Sequence, residues 1–236
     1  QFIFINSKLD YYKRSCVLAH ELGHAMHSYY SDKNQTYTNS SYPIFLAEIA
    51  STVNEVLLNE YMIRNATTNE EKLFYITKFL DEFRATVYRQ TQFAEFEYLV
   101  HEMDKDEVPL TTEKLYETYY DLNKLYYKNI VNDEEIGYEW SRIPHFYTPF
   151  YVYKYATGFS CAIKIANDIL NNKEGALENY LNFLKSGGSD YPLNILAKCG
   201  IDMHKTTVID DAVKMFKDRL IMAKKLREEM INNGSK

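Results

Sequence analysis

Interruptions to helical periodicity are scarce in this chain of 236 residues, which holds eight glycines and five prolines. Between them, apolar side chains recur every three or four positions, the spacing that lines one face of an α-helix. The pattern predicts helices over about residues 14–31, 43–65, 69–103, 111–130, 149–171, 174–186, 192–199 and 206–232. Pro43 suits an early helical position, and Thr148 suits a cap for the segment that begins at Pro149. The stretches NDEEIGYEWSRIPHFYTP and SGGSDYP read as loops. One segment differs: FIFIN, residues 2–6, alternates and is β-prone, so it reads as a strand whose partners are few or lie elsewhere. The expected fold is all-α, a mainly helical domain with a short N-terminal edge strand. No internal repeat or low-complexity linker divides it.

Composition excludes little but orders the alternatives. A net charge of −6 argues mildly against nucleic acid or an anionic membrane as the main partner. No apolar run approaches the roughly 20 residues that span a bilayer. Cys16, Cys161 and Cys199 are odd in number, scattered and without metal-binding spacing. They read as reduced thiols, which suits the cytoplasm. The chain opens on Gln1 with no initiator Met and no basic leader, so it reads as a piece of something longer.

The chemistry concentrates in SCVLAHELGHAMHSYYS, residues 15–31. His20 and His24 are four apart, so a helix carries both imidazoles on one face, about a turn apart. That spacing suits two nitrogens about 2.0–2.1 Å from one zinc ion. Glu21 neighbours the first ligand, where it reaches a zinc-bound water more easily than the metal. Zinc lowers the pKa of that water, and the carboxylate takes its proton as it attacks a carbonyl. Gly23 lets another segment approach this face closely. Leu18, Leu22, Ala25 and Met26 flank the motif and predict a partly buried helix. An ordinary polar helix can also spell HExxH, so the remaining parts of a site decide.

A catalytic zinc needs a third protein ligand and an open position. The HExxHxxGxxH pattern is excluded, because His27 and Tyr30 occupy its later positions. His27 reads as a polar lining residue. The other solution is a glutamate from a following helix. Glu48 and Glu55, in FLAEIASTVNE, share one side of the next helix, and either satisfies the spacing. Glu48 is favoured because Phe45, Leu46 and Ile49 surround it, which makes a merely solvated face a poorer account.

Peptide hydrolysis also builds negative charge on the carbonyl oxygen, which needs donors. His145, Tyr147, Tyr151 and Tyr155 crowd into IPHFYTPFYVYKYATG, residues 143–158. In a chain with 22 tyrosines most such rings are packing, so the histidine and the proline-ordered turn set this cluster apart. LYETYYDLNKLYY, which lacks both, reads as packing alone.

Four stretches in order, HELGHAMHSYYS, FLAEIASTVNE, IPHFYTPFYVYKYATGFS and LKSGGSDYPLNILAKCGIDM, resemble the thimet oligopeptidase and oligoendopeptidase F family of zinc metallopeptidases. The resemblance covers nearly the whole chain. It implies a zincin-like catalytic domain with one zinc per chain, held by His20, His24 and Glu48, and Glu21 as general base. It places His145 and Tyr151 where substrate is contacted and the intermediate stabilised, with Tyr147 and Tyr155 as nearby substrate-binding candidates. It implies an endopeptidase for short oligopeptides, cleaved inside a channel, with SGGSDYP a mobile segment at its border. Members of that family are much longer. Residues 1–236 therefore correspond to a C-terminal part of the catalytic domain, and the absent N-terminal region is an expected partner. The competing reading is a non-catalytic remnant that binds peptide or zinc.

Overall fold

The computed structural model describes residues 3–6, 8–232 and 234. Among them ten α-helices follow in order: α1 (Tyr11–Asn34), α2 (Tyr37–Ser40), α3 (Ile44–Asn65), α4 (Asn69–Phe83), α5 (Arg89–Lys105), α6 (Thr112–Tyr126), α7 (Tyr153–Leu170), α8 (Ala176–Lys185), α9 (Pro192–Lys198) and α10 (Thr207–Asn232). The all-α class stands. The edge strand does not: residues 3–6 take no regular structure, and Phe2 lies outside the described residues. A strand is stable only against a partner, and no described segment supplies one.

Local chemistry explains most boundaries. Asp10 starts α1 earlier than periodicity alone suggests, its carboxylate accepting the Lys13 N–H at 2.8 Å. Thr111 caps α6 in the same way, through the Lys114 N–H. Periodicity merged α4 and α5 into one helix, yet a π-turn at Arg84–Tyr88 separates them, with the Arg89 N–H reaching back five residues to the Arg84 carbonyl. One wider turn leaves an apolar stripe nearly in phase, so sequence spacing does not reveal it.

Two other departures share a cause. The stretch read as a loop contains 3₁₀ turns at Glu134–Arg142 and Pro144–Tyr147, and Thr148 closes the second by donating to the His145 carbonyl at 3.0 Å. The next helix consequently begins at Tyr153, not Pro149. Short turns broken by Gly and Pro carry no 3.6-residue signal.

The chain forms two compact units, residues 1–82 with 158–236, and residues 83–157. In the first, α1 packs on α3 and α8. Leu46, Ile49, Ala50 and Val53 of α3 are fully buried, as are Cys161, Ala162, Ile163 and Ala166 of α7 and Phe183 and Leu184 of α8. Full burial of a side chain the size of Leu46 or Ile49 contributes about 1.5–3 kcal/mol. The helix α10 joins through Leu226, against Ile63 and Ile76, and through Arg219, which pairs with Glu60 while Glu60 also accepts from Arg64 at 2.7 Å.

The glycines of SGGSDYP allow close approach in this unit. Gly188 donates to the Asn39 carbonyl at 2.8 Å, and a Cβ on Gly187 would meet that same oxygen at 2.3 Å. These contacts seat SGGSDYP against α2.

In the second unit Phe93, Phe96, Tyr119, Leu122, Ile143 and Val152 form a core of their own. The buried Glu139 carboxylate is held there by Arg89 at 2.5 Å, the Tyr119 hydroxyl at 2.6 Å and Arg142. Tyr119 and its neighbours bear out the packing role read for LYETYYDLNKLYY. No described helix is long and apolar enough to cross a membrane.

Candidate active site

Helix α1 approaches α3 closely at Gly23. A Cβ there would lie 2.5 Å from the Ser51 Cα and 2.9 Å from the Ala50 carbonyl oxygen. Only a residue without a side chain permits that approach. Asn54 reinforces it, donating to the Ala19 carbonyl at 3.2 Å. Because Ser51 sits over Gly23, the acids one turn to either side on α3, Glu48 and Glu55, fall beside the histidines of α1.

The two acids do different things. Glu55 Oε1 lies 2.5 Å from His20 Nδ1. A carboxylate only accepts, so Nδ1 carries the proton and the Nε2 lone pair is left free. That hydrogen bond is also the main reason the His20 pKa is raised, against burial. His24 Nε2 lies 3.1 Å from His20 Nε2, and burial, with the neighbouring His20, lowers the His24 pKa. Glu48 Oε2 is 3.8 Å from His20 Nε2. One atom each of His20, His24 and Glu48 fall within 4.8 Å of one another.

These residues fit a zinc ion. Two nitrogens bound tetrahedrally at 2.0–2.1 Å are about 3.3 Å apart, close to the separation present. Two imidazoles and a carboxylate are a donor set that suits zinc. The Glu48 side chain is 44% exposed, so the group opens toward solvent on one side. Glu21 is half-buried on α1, and among the described residues its carboxylate has no hydrogen-bond partner.

His27 is not a lining residue of this group. It is fully buried, stacked on Tyr42 with ring centroids 3.7 Å apart, and among the described residues neither ring nitrogen has a hydrogen-bond partner. Burial pushes its pKa down to about 4. The flanking apolar residues also differ from expectation. Helix α1 is buried through Gly23, His27 and Ser31, while Leu18, Leu22 and Met26 remain about two-fifths exposed. The tight contact at Gly23 turns the Gly23, His27 and Ser31 face inward and leaves Leu18, Leu22 and Met26 outside it.

The second unit assembles the other candidates. His145 ends up between two tyrosines, its ring stacked on Tyr151 (centroids 5.8 Å, 18° apart) and edge-on to Tyr155. The Tyr155 hydroxyl lies 3.2 Å from His145 Nε2. Tyr151 precedes α7 instead of lying on it, because Phe150 adopts a left-handed φ of 54° and the helix starts after it. That conformation costs a bulky L-residue about 1–2 kcal/mol. Tyr147 stands apart from the cluster and is 85% exposed. Sequence reasoning missed the parts played by Glu55 and Phe150. The sequence places Glu55 on the right face but offers ligation as its only role; nothing in the sequence marks Phe150.

The model of peptidase family M3 matches residues 9–215. Oligopeptidase PepF of Bacillus subtilis is 49% identical over 204 residues, covering 86% of this chain and 30% of that protein. An oligoendopeptidase F homolog of Borreliella burgdorferi is 46% identical over 227 residues, 95% of this chain and 38% of its own length. The crystal structure of oligoendopeptidase-F from Enterococcus faecium superposes with a TM-score of 0.84 at 45% identity, over 92% of this chain and 40% of that one. The chain thus spans about a third of the length of the relatives it matches.

Proposed function

The chain belongs to peptidase family M3, and from that membership we propose that it is the zinc-binding catalytic portion of an endopeptidase acting on short oligopeptides. The observation that carries this reading is the convergence of His20, His24 and Glu48, with His20 presented as an Nε2 donor by Glu55. Bound there, zinc supplies a Lewis acid that polarises the scissile carbonyl and acidifies water. The other tasks fall to side chains. His20, His24 and Glu48 hold the metal, one zinc per chain. Glu21, unpaired beside them, takes the proton of the attacking water and passes it to the leaving amine. Tyr151 and His145 donate to the carbonyl oxygen as charge builds on it, Tyr155 orients His145, and Tyr147 contacts the peptide.

Two further points belong to the proposal. The N-terminal region present in the longer relatives completes the cleft, and the exposed run of Leu18, Leu22 and Met26 beside the motif supports a covering partner there. The compartment is the cytoplasm, a reading supported by three free cysteines.

The test is metal analysis with cleavage of internally quenched peptides, on this chain alone and joined to the N-terminal region of a relative. About one zinc per chain and cleavage by at least the joined form are expected. Glu21→Gln should keep the zinc and lose about 10²–10⁴-fold in turnover. A zinc-loaded joined form that binds peptide without cleaving it would establish the remnant reading instead.

A further inference from the structure

Phe150 is held at two points by one helix. Glu97 of α5, 6% exposed, accepts the Phe150 backbone N–H at 2.7 Å. His101, one turn further along α5, stacks its ring on the Phe150 ring with centroids 4.7 Å apart at 28°. Among the described residues Phe150 is one of three non-glycine residues with positive φ; the others, Glu107 and Asn172, lie in the turns that follow α5 and α7. A bulky aromatic residue in this conformation persists only where its surroundings impose it.

The position of the hold matters. Tyr151 is the next residue, and Val152 after it is fully buried in the core of this unit. A turn at 149–150 lies between the turn at Pro144–Tyr147 and α7, so the Phe150 dihedral sets the side of the chain on which Tyr151 emerges. With φ at 54°, Tyr151 stacks along His145 and meets Tyr155 edge-on. Relaxation to an ordinary negative φ would turn the following peptide and carry the Tyr151 ring away from His145. Glu97 itself is not part of the His145 cluster. Burying a carboxylate to satisfy one backbone N–H is costly packing unless the conformation it holds is needed.

We propose that Glu97 is a positioning residue for Tyr151, acting through the Phe150 backbone and touching no substrate. The proposal rests on the reading of Tyr151 as an oxyanion donor. Its requirement is geometric: an acceptor oxygen must reach the Phe150 N–H, whatever its charge.

Two conservative variants separate reach from charge. Glu97→Gln keeps the reach and loses the charge, while Glu97→Asp keeps the charge and falls one methylene short. Both are compared with Tyr151→Phe, in whichever form of the chain cleaves peptide, with zinc content and thermal unfolding recorded alongside. Glu97→Asp should lower kcat up to about 100-fold at unchanged KM, as a displacement of about 1 Å does to a reacting group. Glu97→Gln should stay within about 3-fold of the parent enzyme, and Glu97→Asp combined with Tyr151→Phe should be within about 3-fold of Tyr151→Phe alone. The reverse order of Gln and Asp, or losses that multiply in the double variant, would overturn the role of Glu97 while leaving Tyr151 in place. Full activity in Tyr151→Phe would overturn the underlying reading instead. A Glu97→Asp protein that loses zinc or unfolds early, beside a Glu97→Gln protein that is also impaired, would show a structural carboxylate and refute positioning.

Discussion

Glu55 accepts a 2.5 Å hydrogen bond from Nδ1 of His20, across the contact between α3 and α1. The bond selects the tautomer that leaves Nε2 free and holds the ring in place. Partners of this kind typically govern metal affinity by 10–100-fold. Glu55→Ala should weaken zinc binding by about that factor, measured by competition with a chromogenic chelator. Glu48→Ala should weaken it further, as the proposed ligation by Glu48 requires. Affinities in the opposite order would make Glu55 the ligand and Glu48 the supporting group.

The contact at Gly23 offers a second test. A methyl group there meets backbone, at 2.5 Å from the Ser51 Cα, and backbone cannot swing aside as a side-chain tip does. Gly23→Ala should destabilise the chain by about 1–3 kcal/mol in urea unfolding, despite the better helix propensity of alanine, which favours it by about 1 kcal/mol. Zinc affinity should fall with it, because α3 carries Glu48 and Glu55. Unchanged stability and affinity would mean the helices do not approach this closely.

His27 makes stability depend on pH. Burial holds its pKa at about 4, against an ordinary value of 6.5. Between those values the unfolded chain binds a proton that the folded chain refuses. The stabilisation is therefore complete above about pH 6.5, declines as pH falls, and is gone below about pH 4. The span corresponds to at most about 3 kcal/mol. In His27→Phe, stability at pH 7.5 should be no lower, because no ring nitrogen is left without a partner. The difference between the two proteins should grow steadily in favour of the variant from pH 6.5 to 4.5 in urea titrations. A constant difference would show that His27 titrates normally in the fold.

The proposed oxyanion role of Tyr151 can be tested kinetically. Loss of one such donor costs about 10²–10³-fold in kcat. Tyr151→Phe should show that loss with KM little changed. Tyr155→Phe, which removes only the hydroxyl at 3.2 Å from His145 Nε2, should lose about 10-fold or less. The reverse ranking would exchange the two roles.

Much of this could be read before any coordinates. Periodicity located the helices because the interval between buried side chains is a property of one helix and its own sequence. The same holds for the pairing of His20 with His24 on one face, and for Gly23 as a place of close approach. Where order depended on a partner or on a single dihedral, the reading failed. FIFIN resembles a strand, but pairing is not encoded in five residues. The π-turn at Arg84–Tyr88 shifts register without changing composition. The helix predicted over 149–171 would include Tyr151, yet it begins two residues later, at Tyr153.

By itself, the sequence determined which residues lie on each helix face and which chemical groups they carry: two imidazoles on α1, two carboxylates on α3, a histidine among tyrosines further on. Those facts follow from covalent order and a fixed helical pitch. Tertiary structure alone decided which carboxylate faces Nε2 of His20 and which holds Nδ1, since Glu48 and Glu55 share one face and are distinguished only by where α3 crosses α1. It also decided that His27 is a packing residue, and that Tyr151 lies alongside His145. The phase between two helices is set by packing at a contact such as Gly23 against Ser51, and a turn such as Phe150 is set by the neighbours that hold it. Neither is a property of the local sequence.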